Sequence, residues 1–299
     1  MPPSHSLLGR RRLQMNFGPM GIPEVPMLGR YNYIRAEQAL PEHAHGDILE
    51  ICFLVKGRQT YRVGGRDYHL RGGDLFVAFP QERHSSAGNP QEKGILYWMM
   101  LRKAGRVFLG LPPKEAAGFW KALCNLSLRH FRGSWEIKRQ LDSLTVLFNG
   151  ADSALRSTAM ISGTLSFLLE VLKCAKSGRG ERETSRRLDP VYRHIKQHLD
   201  EPLSVPHMAE KAGLSVARFK ARFKEETGLP PGEFVLRARI DEAKERLVKG
   251  GVSVTDIAYG LGFSSSQYFA TVFKRFSGET PSAFLQKKPA KRKFRAKQS

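Results

Sequence analysis

A segment near the C-terminus occurs twice, and this repeat restricts the folds that the second half of the chain can adopt. Residues 203–215 align with residues 252–264 at an offset of 49, and beyond them the offset becomes 50. Phe219 then pairs with Phe269, and Phe223 pairs with Phe273. A repeat of this kind indicates one supersecondary unit that the chain uses two times.

Each copy has the pattern of a short helix, a tight turn and a second helix. Gly213 and Gly262 stand at the turn, where glycine accepts a sharp change of backbone direction. Ser215 and Ser264 are expected to cap the second helix, and Gln267 completes a capping box after Ser264. The pattern predicts helix-turn-helix units at about 204–226 and 253–277.

The second helix of each copy is predicted to have an apolar face and a DNA-contacting face. The paired phenylalanines are four residues apart and form a stripe that packs inward. Small, amide and basic side chains lie opposite, and these types can meet thymine methyls, adenine edges and phosphates. The candidate DNA-contacting residues are Ala217, Arg218, Lys220, Ala221, Lys224, Ser266, Gln267, Tyr268, Thr271 and Lys274.

Two alternatives to DNA binding have the same local pattern. A single copy resembles an ordinary helical hairpin with a phenylalanine core and solvated lysines. A helical solenoid is the other alternative, although such arrays usually need three or more repeats. Residues 231–249 favour DNA, because they predict a connecting helix of about 28 Å. That length is close to the roughly 34 Å between successive major-groove faces.

These motifs resemble the DNA-binding domain of the AraC/XylS family of bacterial transcription regulators. The resemblance covers residues 188–286, and its main stretches are 219–228, 257–265 and 268–274. It implies two helix-turn-helix units joined by a long helix, with base-reading positions on the outward face of each second helix. Many members carry Arg where this chain has Ala221, so the first unit is expected to supply less hydrogen-bonded base reading.

The net charge favours a polyanionic partner. The chain has a formal net charge of +21 over 299 residues and a pI of about 10.2. Residues 287–299 form a basic tail without an acidic residue. This tail is either a solvated terminus or an arm that contacts phosphates.

The cysteines and the hydropathy predict a cytoplasmic protein with no membrane partner. Cys52, Cys124 and Cys174 are far apart, so we expect buried thiols in a reducing compartment. We find no apolar run near the roughly 18 residues that a membrane span needs, and no signal-peptide core.

The first half of the chain is predicted to contain a small β-barrel at residues 31–110. Gly64 and Gly65 between two alternating runs indicate a hairpin turn. Strands at this spacing favour a barrel or jelly roll with room for one small ligand. The β-rich runs are 48–55, 59–63, 67–70, 75–79 and 95–101.

Four residues of this half resemble the metal motif of cupins. They are His43, His45, Glu50 and His84. Three imidazoles and a carboxylate suit zinc, iron, nickel or manganese. The alternative is a pocket in which the same groups hydrogen-bond an organic effector, such as a sugar or another hydroxylated metabolite. We expect no obligatory cofactor, with a divalent metal as the alternative.

The remaining segments complete the predicted domain organisation. Residues 111–176 are expected to be helical, with apolar residues at three- and four-residue spacing. Such a stripe is typical of a core, but in the AraC/XylS family a helix in this place commonly forms the dimer contact, which implies a homodimer. Residues 1–30 are expected to be an arm and residues 177–187 a flexible linker.

Together these features predict an α+β protein with a cupin-like barrel, following helices and an all-α domain with two helix-turn-helix units. The leading hypothesis is a transcription regulator in which a small molecule changes promoter occupancy, with RNA polymerase as a further partner and no enzymatic activity. One competing hypothesis is a metal-dependent cupin enzyme fused to a DNA-targeting domain. Another is a nonspecific basic protein that coats DNA.

Overall fold

The computed structural model describes residues 11–103, 105–177 and 188–286. The N-terminal half is a layered β structure. Its strands are β1 (Arg12–Met15), β2 (Met27–Tyr33), β3 (Glu37–Ala39), β4 (Leu49–Lys56), β5 (Arg58–Val63), β6 (Arg66–Arg71), β7 (Asp74–Ala78), β8 (His84–Ser85), β9 (Pro90–Gln91), β10 (Gly94–Leu101) and β11 (His130–Arg132). The largest sheet has six strands in the order β1-β2-β10-β4-β7-β11, and smaller sheets have the orders β6-β5-β8 and β3-β9.

Strand β4 is buried on both faces because the large sheet packs between two layers. Leu49, Ile51 and Phe53 belong to a core shared with the helices that follow the sheet. Cys52 and Leu54 belong to a second core, which includes residues of the three-stranded sheet. Successive side chains of a strand point to opposite faces of the sheet, so alternate residues of β4 pack against the helices and against the three-stranded sheet.

Three details of the predicted N-terminal half are corrected. Among the described residues the strands pair into separate sheets, so the expected barrel is not closed. Residues 12–15 and 27–30 are not part of an arm, because they belong to β1 and β2, which are hydrogen-bonded members of the six-stranded sheet. Within the segment predicted to be helical, β11 pairs with β7 as the last strand of that sheet.

Three helices cover one face of the six-stranded sheet, namely α1 (Pro113–Cys124), α2 (Trp135–Asn149) and α3 (Arg156–Lys176). By length and composition α3 could cross a membrane, with a mean hydropathy of 1.3, which corrects the expectation that no run reaches this size. Met160, Phe167 and Leu168 of α3 are buried in the core shared with the sheet. Its apolar composition is therefore that of a core helix.

The C-terminal domain is helical and consists of two small cores joined by one long helix. Its helices are α4 (Asp189–Gln197), α5 (Val205–Lys211), α6 (Val216–Thr227), α7 (Pro231–Lys249), α8 (Val254–Tyr259), α9 (Ser266–Ser277) and α10 (Pro281–Gln286). Helix α7 contributes Val235 to the first core and Ile240, Ala243 and Leu247 to the second. The predicted linker, except for Ser177, and the predicted basic tail lie outside the described residues.

Candidate DNA interface, sensor cluster and domain interface

The helix-turn-helix pattern is present in both copies. Helices α5 and α6 form the first unit, and α8 and α9 form the second. The turn glycines Gly213 and Gly262 have positive φ angles of 62° and 68°, which glycine adopts at little cost. Phe219 and Phe269 are fully buried. The inward stripe predicted from the sequence is therefore confirmed.

The change of offset within the repeat has a structural cause. Ser215 caps α6 by accepting a hydrogen bond from the Arg218 amide. In the second unit the capping residue is Ser265, which accepts from the Tyr268 amide at 3.1 Å. The prediction that Ser264 caps this helix is wrong by one residue. The second turn contains one more residue before the cap, and this insertion produces the offset of 50.

The candidate DNA-contacting residues share one surface on each recognition helix, the name used here for α6 and α9. The five candidates on α6 are exposed, and on α9 only Ser266 is half-buried. Thr271 donates a hydrogen bond to the Gln267 backbone carbonyl, which leaves its methyl group available to a partner. Contact of these residues with DNA remains a prediction.

The four predicted pocket residues, together called the sensor cluster, are brought into one place. They are His43, His45, Glu50 and His84. One donor atom from each lies within 4.8 Å of the others. The Glu50 Oε2 atom is 3.1 Å from His45 Nε2 and 3.2 Å from His84 Nε2. The cluster therefore joins β4 of the large sheet to β8 of the three-stranded sheet.

The cluster changes the ionisation of its members. Burial by itself raises the pKa of Glu50, but contacts with His45 and His84 outweigh it and hold that pKa at about 2. The contact with Glu50 raises the pKa of His45. Burial lowers the pKa of His43. The carboxylate is therefore ionised at neutral pH and available as a ligand.

Two neighbours of the cluster were missed in the sequence analysis. The Cys52 thiol lies 3.5 Å from Glu50 Oε1, and the Tyr61 hydroxyl lies 3.5 Å from the Cys52 sulfur. Burial raises the pKa of both groups well above the usual range, so both are protonated. The period of two along β4 places Cys52 on the same face as Glu50, which is the signal that could have found it. Cys52 and Cys174 are buried as expected, whereas Cys124 is half-buried.

The N-terminal domain contacts equivalent positions at the ends of the two recognition helices. Arg132 donates a hydrogen bond to the Glu225 carbonyl of α6 at 2.6 Å. The Ala36 amide donates to the Arg275 carbonyl of α9 at 3.0 Å. Glu225 and Arg275 are equivalent at the offset of 50, so one domain binds the same position of both repeats.

A close backbone contact reinforces the first of these contacts. Gly72 lies against Gly228, which ends α6 with a φ of 74°. A Cβ atom added to Gly72 would lie 2.5 Å from the Gly228 Cα atom, closer than such atoms approach. In the second repeat the equivalent Gly278 lies near Ala36, and a Cβ on it would be 3.6 Å from the Ala36 Cβ. Glycines at both helix ends therefore border the N-terminal domain.

Ion pairs connect the long helix α7 to the same domain. Glu233 is 3.2 Å from the Lys56 Nζ atom and 2.5 Å from the Lys93 Nζ atom. Burial by itself raises the pKa of Glu233, but the two lysines outweigh it and hold it below the usual range. One turn further on, Arg237 pairs with Glu92. We call the contacts of α7 and of the two helix ends the docking interface.

A polar crevice adjoins the docking interface. Its volume is about 550 Å³. It lies between β3 and β9 on one side and the end of α9 on the other, and its walls include Arg35, Lys274 and Ser277. The docking interface and the crevice leave the outward faces of the recognition helices exposed.

The fold and these sites define a two-domain regulator with a ligand-binding domain and a helix-turn-helix DNA-binding domain. A family model described as "AraC-like ligand binding domain" matches residues 30–155, and one described as "Helix-turn-helix domain" matches residues 208–287. The chain belongs to the AraC/XylS family of transcription regulators.

Its relatives support this membership. The HTH-type transcriptional activator RhaS of Enterobacter sp. (strain 638) is 28% identical over 261 residues, which cover 85% of this chain and 90% of the relative. The protein of the same name from Citrobacter koseri is 27% identical over 246 residues, or 80% of this chain and 85% of the relative.

Solved structures of two further proteins are each similar over about a third of this chain. The DNA-binding domain of AdpA, solved in complex with a target DNA, is 29% identical and covers 34% of this chain and 92% of that chain, with a TM-score of 0.33. A transcriptional regulator from Chromobacterium violaceum is 25% identical and covers 33% and 89%, with a TM-score of 0.32.

Proposed function

We propose that the protein reads promoter DNA with both recognition helices and that the N-terminal domain controls how these helices are presented. The observation that carries this proposal is the docking interface, which holds equivalent positions of both repeats. Residues such as Gln267 and Thr271 meet base edges, while Lys220, Lys224 and Lys274 neutralise phosphates. A small effector in the N-terminal domain then shifts the balance between docked and released arrangements.

The DNA-reading part is tested by selecting sequences from random DNA with the full chain. We expect two half-sites about one helical turn apart, because α7 holds the two recognition helices on one side of the domain. Binding to a scrambled site should be weaker by a factor of roughly 10³ or more at physiological salt. Equal binding to selected and scrambled DNA would support the nonspecific coating protein instead.

The control by docking is tested with Gly72→Ala. The added Cβ clashes with the Gly228 backbone, so the two domains must separate or shift. We expect the variant to tolerate a wider range of half-site spacings than the wild type in the same selection. Gly232→Ala is the matched control, because nothing lies within 4 Å of a Cβ at that position in α7. A spacing preference identical to wild type, with the interface opened in hydrogen exchange, would refute the proposal.

The effector is proposed to be a hydroxylated metabolite, such as a sugar, that binds beside the sensor cluster. Imidazole and carboxylate groups on the inner side of a sheet supply both donors and acceptors to such a molecule. The relatives are named transcriptional activators. We therefore propose that this chain activates transcription through RNA polymerase in the cytoplasm and is not an enzyme.

A homodimer is proposed through the outer face of α1 and α3. Leu169 of α3 is 57% exposed and, with Leu165 and Phe119, lines an apolar groove of about 500 Å³. A second copy of the same helices would bury this groove, as an isologous contact does. Leu169→Glu should shift the sedimentation coefficient to that of a monomer, and Val248→Glu on the DNA-binding domain should not. A dimer unaffected by Leu169→Glu would place the contact elsewhere.

A further inference from the structure

We propose that three histidines of the DNA-binding domain bind one divalent transition ion, and that this ion bridges α4 and the first helix-turn-helix unit. His194 lies in α4, His198 follows directly after it, and His207 lies in α5. All three belong to a different domain from the sensor cluster. Imidazole nitrogens prefer zinc, nickel, copper and cobalt ions to calcium or magnesium, so the ligand is an ion of that class.

The positions of the three rings fit one shared ion. The centre of the His194 ring lies 4.5 Å from that of His198 and 5.1 Å from that of His207. An imidazole that binds through one nitrogen has its ring centre about 3.2 Å from the ion, so two such rings lie about 4.5–5.2 Å apart at octahedral or tetrahedral angles. Both separations lie in this range, which makes His194 the central ligand.

The backbone keeps the three side chains next to one another. His194 and His198 are four residues apart, and the His198 amide donates to the His194 carbonyl at 3.1 Å, so both rings lie on one face. The His207 amide donates to the Ser204 hydroxyl at 3.3 Å, which fixes the start of α5. Helices α4 and α5 also share one buried core. An ion between them would therefore bind to segments that are already packed together.

Two carboxylates orient the outer rings. Glu201 Oε1 lies 2.9 Å from His198 Nδ1, and Glu210 Oε2 lies 3.4 Å from His207 Nδ1. A ring whose Nδ1–H donates to a carboxylate keeps the lone pair of Nε2 for a metal and becomes a more basic ligand. The outer rings therefore have the supporting partners that metal-binding histidines usually have.

The central ring is neutral, which is the form that binds metals. Partial burial lowers the pKa of His194, and the positive charge of Lys211 lowers it further. At neutral pH the ring therefore has no proton to lose before it binds an ion. Lys211 also repels a cation, but Glu201 and Glu210 supply two negative charges beside the outer rings.

The outer rings must rotate for all three donor atoms to meet. In the part of the chain that the structure describes, the sensor cluster is the one group of three or more residues whose donor atoms already converge. The side chains of His198 and His207 are 37% and 49% exposed. Exposed side chains change rotamer within nanoseconds, so an ion can draw both rings toward His194 without a change of the backbone.

The second helix-turn-helix unit lacks this feature. Asp256 occupies the position of His207 at the offset of 49, and residues 253–277 contain no histidine. The ion would therefore stabilise the first unit directly and the second only through α7. The binding requires no DNA, so the inference goes beyond the proposed function and can fail or succeed independently of it.

The test uses the full chain without an affinity tag, stripped of metal with a chelator and studied without DNA. Amide hydrogen exchange is measured with and without free Zn²⁺ at about ten times its Kd. We expect exchange in residues 189–211 to slow about 10-fold, because the ion binds the closed form and not the opened one. This readout is local to α4 and α5, so an ion bound in the other domain does not produce it.

Three variants identify the ligands. His194→Ala should abolish the slowing and remove one equivalent of Zn²⁺ in equilibrium dialysis. His207→Gln, at an exposed position, should reduce the slowing to less than about 2-fold while the fold is kept. His69→Ala is the control, because His69 is an exposed histidine of β6 in the other domain.

Each outcome bears on the proposal. Slowing that is lost in His194→Ala and His207→Gln and kept in His69→Ala supports it. Slowing that survives His207→Gln would mean that α4 binds the ion alone and no bridge forms. Absence of slowing in the wild type, or slowing that survives His194→Ala, would mean that the three rings only pack against one another.

Discussion

The two helix-turn-helix units share one interior and present two different surfaces. At the offset of 50, Phe219 and Phe223 match Phe269 and Phe273, and all four are fully buried. On the outward face Ala217 matches Gln267 and Ala221 matches Thr271, whereas Lys224 and Lys274 are the same residue. Packing constrains the buried residues of both units, whereas the exposed residues of the outward face are not under that constraint.

The difference between the two outward faces predicts that the two helix-turn-helix units recognise DNA in different ways. Ala217 and Ala221 offer methyl groups to a groove, and methyl groups recognise thymine by apolar contact. Gln267 and Thr271 offer hydrogen-bonding groups, which distinguish bases more strongly. We therefore expect the second unit to supply most of the hydrogen-bonded specificity and the first to supply methyl contacts and phosphate anchoring.

The largest expected effect tests whether the two interiors are equivalent. Phe219→Ala and Phe269→Ala should each lower the free energy of unfolding by about 3–5 kcal/mol, because each removes a fully buried ring. Urea unfolding followed by circular dichroism measures both. Val216→Ala, at an exposed position of α6, should change the free energy of unfolding by less than about 0.5 kcal/mol. A loss under about 1 kcal/mol in one unit alone would show that its interior is not equivalent to the other.

An intermediate effect tests whether the two surfaces differ as proposed. Gln267→Ala should weaken binding to the selected DNA by about 1–3 kcal/mol and relax the preference at one base position. Ala217→Gln introduces the same amide into the first unit and should create a new preference in the other half-site. Binding constants on a panel of single-base variants measure both. A loss of affinity that is the same for every DNA sequence would indicate that Gln267 contacts phosphates instead of a base.

The smallest effect tests the one-residue insertion between the copies. Ser265→Ala should lower the stability by about 1 kcal/mol, because Ser265 accepts the hydrogen bond that caps α9. Ser264→Ala should change the free energy of unfolding by less than about 0.5 kcal/mol, because Ser264 is exposed and does not cap the helix. Thermal unfolding of the two variants compares them directly. If Ser264→Ala is the more damaging change, the cap lies one residue earlier in solution.

Strands made of β-rich residues between glycines were predictable, and strands without that signal were not. The run 48–55 became β4, and the run 67–70 became the core of β6. Strand β2 was missed because it includes Gly29 and lacks a regular pattern. The reason for that glycine lies in the fold, since the Trp98 ring occupies the space of a Cβ atom. Such a contact involves a partner on another strand and leaves no local signal.

The sequence by itself determined the doubled unit, the inward phenylalanines and the residue types of the sensor cluster. These features depend on local periodicity and side-chain chemistry, which the order of residues contains directly. Only the tertiary structure decided that the cluster residues converge, that β1 and β2 belong to the sheet, and that one domain holds both recognition helices. Those facts depend on contacts between residues far apart in the chain, such as Lys56 with Glu233 and Gly72 with Gly228. Such contacts form through packing of whole elements, which no short window of sequence specifies.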